Sequence, residues 1–85
     1  MRVETTRGFD KQYAKLQPKV KQQFQERLHI FTSTPFDQRL RNHALMGRYK
    51  GYRSIDVNGD VRALYTVKEG SFVLFSVIGT HSQLY

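Results

Sequence analysis

Apolar positions along the chain follow a helical spacing in the first third and an alternating one in the second half. Phe9, Tyr13 and Leu16 recur at steps of four and three, and Val20, Phe24, Leu28 and Phe31 continue at steps of four, four and three. This spacing predicts two amphipathic helices, each with one apolar stripe. Pro18 opens the second, because proline is tolerated at a first helical position, where its missing N–H has no partner to lose. Thr32-Ser33-Thr34-Pro35 ends it, and Lys19, Lys21, Gln22, Gln25 and Arg27 fill its polar face. Ahead of both, the stretch RVETT at 2–6 is short and β-prone, bounded by Arg7-Gly8, and reads as an edge strand. Residues 9–31 therefore form a helical hairpin whose stripes must cover something apolar.

Asn58-Gly59 and Glu69-Gly70 are turn signals that divide three β-rich runs. A slip of one residue exchanges the faces of a strand, so the register can be argued from the pattern. A two-residue loop at Asn58-Gly59 sets Asp56 against Val61 and mixes polar with apolar on both faces. A three-residue loop, Asn58-Gly59-Asp60, instead pairs Val57 with Val61, Ile55 with Ala63 and Arg53 with Tyr65, and brings Asp56 beside Arg62. A two-residue loop at Glu69-Gly70 pairs Val67 with Phe72, Tyr65 with Leu74, Ala63 with Ser76 and Val61 with Ile78. The opposite face then carries Ser54, Asp56, Arg62, Leu64, Val73, Phe75 and Val77. The expected fold is α+β: an N-terminal strand and a helical hairpin packed on one face of a small antiparallel sheet, whose open face carries the chemistry.

At 85 residues the chain has room for one domain, since one this short buries only roughly 60–65% of its unfolded surface. With no cysteine, neither disulfides nor a thiolate zinc site can support the core. No apolar run suggests a signal peptide or a membrane span, so a cytoplasmic protein is expected. Charge adds more: fourteen Lys and Arg against seven acids give a net charge of +7, spread from Arg2 to Arg62. Such a surface suits a polyanion, an acidic protein or the ribosome, though small basic domains also use charge for solubility alone.

The candidate chemistry sits at the rim of the sheet. His43 lies in the long connection 34–50, and His81 lies just after the last strand. Each reads either as a loop hydrogen-bonding residue or as a proton carrier suited to neutral pH. His29 belongs to the basic helix and reads as structural. The histidines lack HxH or HExxH spacing, so no metal site is expected. Asp60 is a turn residue on spacing alone. Arg62, between Val61 and Ala63 in a strand, calls either for a cross-strand ion pair with Asp56 or for a phosphate.

Four blocks then combine: His43-Ala-Leu-Met-Gly47, Tyr49-Lys-Gly-Tyr-Arg53, Asp60-Val-Arg-Ala-Leu-Tyr65 and Ile78-Gly-Thr-His-Ser-Gln-Leu-Tyr85. Together they resemble the YafQ-like branch of the RelE/ParE toxin superfamily. The resemblance implies a RelE-like fold and a type II toxin that cleaves messenger RNA on the ribosome, without metal or cofactor, and is neutralised by a cognate antitoxin. It further implies a monomer alone or a heteromer with that antitoxin. By the same resemblance His43, Asp60, His81 and Tyr85 are catalytic. Arg62 resembles the strand arginine of RelE-type proteins, while Lys50, Arg53 and Asp56 are assigned to RNA or ribosome contacts. Two positions depart from the pattern: Asp56 stands where such proteins carry a further histidine, and Val77 where they carry an arginine. The register above sets Arg62 across from Val77, from where its guanidinium would replace the missing one. Two other readings share the fold: a ParE-like protein that inhibits gyrase, and a non-catalytic member that binds RNA or antitoxin.

Overall fold

The computed structural model describes residues 1–69 and 72–85. Strand β1 (Arg2–Thr5) leads into helix α1 (Arg7–Ala14), and α2 (Pro18–Ser33) follows after a short turn. α1 starts at Arg7 because Thr6 caps it: the Thr6 hydroxyl accepts the Phe9 N–H at 3.1 Å, satisfying an amide that a helix start leaves unpaired. Arg7-Gly8 is thus the first turn of the helix rather than a spacer before it. Pro18 sits in the first turn of α2, as its chemistry requires. Beyond α2 come a 3-10 turn (Gln38–Leu40), strand β2 (His43–Ala44) and a second 3-10 turn (Gly47–Tyr49). Strands β3 (Arg53–Asp56), β4 (Val61–Lys68) and β5 (Phe72–Thr80) and the one-turn helix α3 (His81–Leu84) complete the order.

The five strands lie in the order β1-β5-β4-β3-β2. β1 runs parallel to β5 and the other neighbours are antiparallel, so the sheet is mixed rather than wholly antiparallel. The helical connection through α1 and α2 carries the chain away from β1, which therefore joins the edge beside β5 in the parallel sense. The β3–β4 register is the expected one, Arg53 opposite Tyr65 and Ile55 opposite Ala63, with the Val57 N–H donating to the Val61 carbonyl at 2.9 Å.

The β4–β5 register differs. Lys68 pairs with Phe72 and Val67 with Val73, one residue away from the pairing that a two-residue loop predicts; Gly70, on which that loop depends, lies outside the described residues. A shift between Leu64 and Tyr65 leaves Ser76 as an extra residue on β5, a bulge that exchanges the faces of that strand. Val73 and Phe75 therefore turn toward the helices instead of the open face. Beyond the bulge Ile78 still points to the helices and Val77 to the other side.

The main core lies between helices and sheet, where Phe9, Phe24, Phe31, Ile55, Tyr65 and Phe75 cluster with smaller apolar residues. Phe31 meets Tyr65 and Phe75 edge-on at ring separations of 5.0 and 5.6 Å. Burying each such ring stabilises the fold by about 2–3 kcal/mol. A second, smaller cluster of Leu45, Leu64 and Leu84 forms on the open face, with Tyr49, Tyr52 and Val77 against it. It ties α3 and the segment after β2 to the sheet. Among the described residues no helix is long and apolar enough to cross a membrane.

Candidate active site

A cleft of about 640 Å³ opens on this face, lined by Arg41, Asn42, His43, Leu45, Ser54, Asp56, Arg62, His81 and Tyr85. Five of the eight residues singled out from the sequence meet there: His43, Asp56, Arg62, His81 and Tyr85. Each is delivered by a different local device.

His43 sits on β2 opposite Ser54, and its Nδ1 lies 2.7 Å from the Arg41 carbonyl oxygen. A carbonyl only accepts, so Nδ1 carries a proton. In the neutral ring Nε2 then holds the lone pair. His81 is the first residue of α3, placed by a capping box. The Thr80 hydroxyl accepts the Gln83 N–H, and the Gln83 side-chain oxygen accepts the Thr80 N–H at 2.8 Å. The His81 N–H donates to the Asp60 carbonyl at 2.9 Å, which ties α3 to the β3–β4 turn. Tyr85 packs against the His81 ring at 4.8 Å with the two planes tilted by 45°, and meets Tyr49 edge-on at 5.8 Å. Burial raises its phenol above the ordinary value of 10; Tyr49 adds to this and Arg62 opposes it.

Arg62 reaches the cleft, but its guanidinium is already engaged. Nε pairs with Asp56 Oδ1 at 3.0 Å, Nη1 donates to the Asn58 carbonyl at 2.8 Å, and Nη2 donates to the Gly59 carbonyl at 3.3 Å. Both members of the ion pair are mostly covered, at 17% and 14% exposure. The cross-strand ion pair is therefore the reading of Arg62 that is realised. Arg62 also lies opposite Gly79, while Val77 faces Leu64, because the bulge moves the ladder; the expected direct exchange of Arg62 for the residue at 77 does not hold.

Three predicted residues lie outside the cleft lining. The Asp60 side chain is exposed in the turn, and its contribution to the site runs through its backbone carbonyl. Arg53 faces the helices: its Nε donates to Asn42 Oδ1 at 2.9 Å and its guanidinium covers the Phe36 ring at 5.2 Å. Lys50 is exposed at the end of the second 3-10 turn. In return the cleft includes two residues that were not assigned chemistry. Arg41 ends the first 3-10 turn in a left-handed conformation, φ 49°, for which no glycine signalled in the sequence. Ser54, placed on the open face by strand alternation, is 1% exposed and its hydroxyl has no hydrogen-bond partner among the described residues. Those residues include no grouping of three His, Cys, Asp or Glu side chains able to hold a metal ion.

The model of the family described as bacterial toxin of type II toxin-antitoxin system, YafQ, matches residues 1–85. The chain belongs to the YafQ toxin family. Solved structures agree on the fold. A crystal structure of YafQ from E. coli strain BL21(DE3) is 23% identical and superposes with a TM-score of 0.79, covering 100% of this chain and 99% of that one. A YoeB/ParE toxin from Agrobacterium tumefaciens is 20% identical, with a TM-score of 0.78 over 95% and 99% of the two chains. YafQ in the E. coli DinJ-YafQ complex is 24% identical, with a TM-score of 0.70 over 100% and 99%. No curated protein sequence matches the chain. Membership in the YafQ family makes this protein a type II toxin, and the cleft is its candidate active site.

Proposed function

We propose that this toxin is a ribosome-dependent endoribonuclease that cuts messenger RNA and stops translation in the cytoplasm, held in check by a cognate antitoxin as the DinJ-YafQ complex suggests. The observation that carries the reading is the pair of imidazoles, His43 and His81, sharing one cleft on the open face of the sheet.

His43, with Nδ1–H directed to the Arg41 carbonyl, is suited to take the 2′-hydroxyl proton at Nε2. The 2′ oxygen then bonds to phosphorus, the bond from phosphorus to the 5′ oxygen breaks, and protonated His81 donates to that leaving oxygen. The products are a 2′,3′-cyclic phosphate and a 5′-hydroxyl end, with no redox change and no cofactor in the balance. Tyr85, packed against His81 at a tilt, supplies a face for a base, an interaction worth roughly 1–3 kcal/mol. Asp56 and Arg62 hold each other and the β3–β4 turn from which His81 hangs.

The test is primer-extension mapping of cellular messages after induction of the wild type, His43→Ala and His81→Ala. Codon-phased cuts are expected with the wild type and not with either variant, while both variants still co-purify with antitoxin. Full toxicity and unchanged cuts in His81→Ala overturn the assignment. Intact messages with a DNA-damage response in wild-type cells point to gyrase instead.

A further inference from the structure

The nuclease reading needs a cation at the phosphate, and the arginine that the sequence offers for it is spent on structure. Arg62 directs Nε, Nη1 and Nη2 to Asp56, Asn58 and Gly59. Freeing it would strand a largely covered Asp56 carboxylate and undo the turn that holds the His81 backbone. The second guanidinium in the cleft is arranged in the opposite way. Arg41 is 77% exposed, and its side chain makes no hydrogen bond among the described residues; its one partner is Asp56 Oδ2, at the loose distance of 3.7 Å. Two guanidiniums thus face one carboxylate, which Arg62 already neutralises at 3.0 Å. The positive charge left over belongs to Arg41.

The backbone adds a separate observation. Arg41 is the one non-glycine residue with positive φ among the described residues, a conformation that disfavours side chains with a Cβ and that concentrates at functional sites. In that conformation its carbonyl receives His43 Nδ1–H at 2.7 Å while its side chain lines the same cleft. One residue thereby fixes the tautomer of the proposed base and presents a cation beside it. Below both, the Ser54 hydroxyl is buried and unpartnered, on the strand position opposite His43 and two residues before Asp56. A buried hydroxyl without a partner is a site that a ligand oxygen or an ordered water completes.

We infer that Arg41, with Ser54 beneath it, forms the subsite for the substrate phosphate, and that Arg62 is a positioning residue. This rests on the nuclease reading for its chemistry, but the phosphate contact can be read without cleavage. As RNA enters, the Arg41 guanidinium exchanges its long contact with Asp56 for a phosphate oxygen. No covalent step is added to the reaction.

The informative variant is Arg41→Gly, which removes the guanidinium while suiting the left-handed backbone that holds His43; Arg41→Lys restores a point charge without the fork. On ribosomes programmed with a cleavable message, Arg41→Gly is expected to lower the single-turnover cleavage rate about 100-fold, with an unchanged melting temperature and with partial recovery in Arg41→Lys. On ribosomes programmed with the same message carrying a 2′-deoxy sugar at the cut position, Arg41→Gly should weaken binding. It should also reduce the slope of log affinity against log salt by about 1. A methylphosphonate at the cut position, which removes the phosphate charge, should weaken wild-type binding and leave Arg41→Gly unaffected. Rates and affinities within threefold of wild type for Arg41→Gly overturn the assignment of Arg41. If the wild type cuts no message, the nuclease reading fails, and the methylphosphonate comparison alone decides whether Arg41 meets a phosphate.

Discussion

At the scale of single residues, the site separates side chains that hold from side chains that remain available. Arg62 and Asp56 are spent on each other, whereas Tyr85 is 53% exposed, with its ring against those of His81 and Tyr49. Because burial raises the Tyr85 phenol above 10, its hydroxyl keeps its proton throughout any neutral assay and cannot act as a base there. What remains useful is the ring. Tyr85→Phe should therefore cleave within about threefold of the wild type, while Tyr85→Ala should lose roughly 5- to 100-fold, the loss expected from one stacked base. Single-turnover cleavage by the two variants separates the roles; a loss in Tyr85→Phe as deep as in Tyr85→Ala would assign the chemistry to the hydroxyl. In a spectrophotometric titration of the wild type, one of the phenols should ionise above pH 10, and Tyr85→Phe should remove it.

At the scale of elements, short capped turns do what long helices do elsewhere. The closing Gly-Thr-His-Ser-Gln run is a capping box: Thr80 and Gln83 bond reciprocally, and a Cβ added at Gly79 would stand 2.9 Å from the Gln83 side-chain oxygen that serves the box. Thr80→Ala should cost about 1 kcal/mol of stability, yet reduce cleavage more than that loss explains, because His81 is the residue the box places. Urea unfolding alongside the cleavage rate checks this; a fall in activity no larger than the fall in folded fraction would leave α3 a purely structural cap. A second device lies before His43. Asp37 accepts the Arg39 N–H and pairs with its guanidinium at 2.9 Å. These bonds hold its carboxyl at about 2, below the usual 3.8. A carboxyl depressed in the folded state contributes fully above its unfolded value and is lost as pH falls through the folded one. The turn that sets Arg41 is therefore held at every pH near neutrality, and the contribution of Asp37 is lost progressively as pH falls from 3.8 through about 2. The pattern of the chain revealed some of this and hid the rest for definite reasons. The Asn58-Gly59-Asp60 register was readable because Asp56 and Arg62 leave only one pairing that keeps charge off the core. The β5 register was not, because FVLFSVI at 72–78 is apolar at nearly every position, so either pairing buries apolar side chains and the bulge at Ser76 leaves no mark. His43 and His81 were legible as candidates. Arg41 was not, since its left-handed backbone comes from how the 3-10 turn ends and not from a glycine.

At the scale of the whole molecule, the sheet separates two cores of unequal weight. Phe75 lies in the larger one, fully buried and in contact with Phe9, Phe24, Phe31 and Tyr65. Leu84 lies in the smaller one with Leu45 and Leu64, which fastens α3 over the edge of the cleft. Both substitutions to alanine remove buried carbon, but they do so on opposite sides of the sheet. Phe75→Ala should destabilise the molecule by about 3–5 kcal/mol, a third or more of the margin of a chain of this size, which is on the order of 5–10 kcal/mol. Leu84→Ala should cost less than Phe75→Ala, since its cluster is small and borders solvent, so that α3 adjusts around the gap more easily than the main core does. Its effect should concentrate on α3, where amide hydrogen exchange at Leu84 and Tyr85 rises well above that of β4 and β5. Because His81 and Tyr85 both ride on α3, cleavage should fall at denaturant-free conditions in which circular dichroism still reports a folded sheet. Equal acceleration of exchange in α3 and in the central strands would mean that the two cores melt together, and that the cleft has no stability of its own to lose.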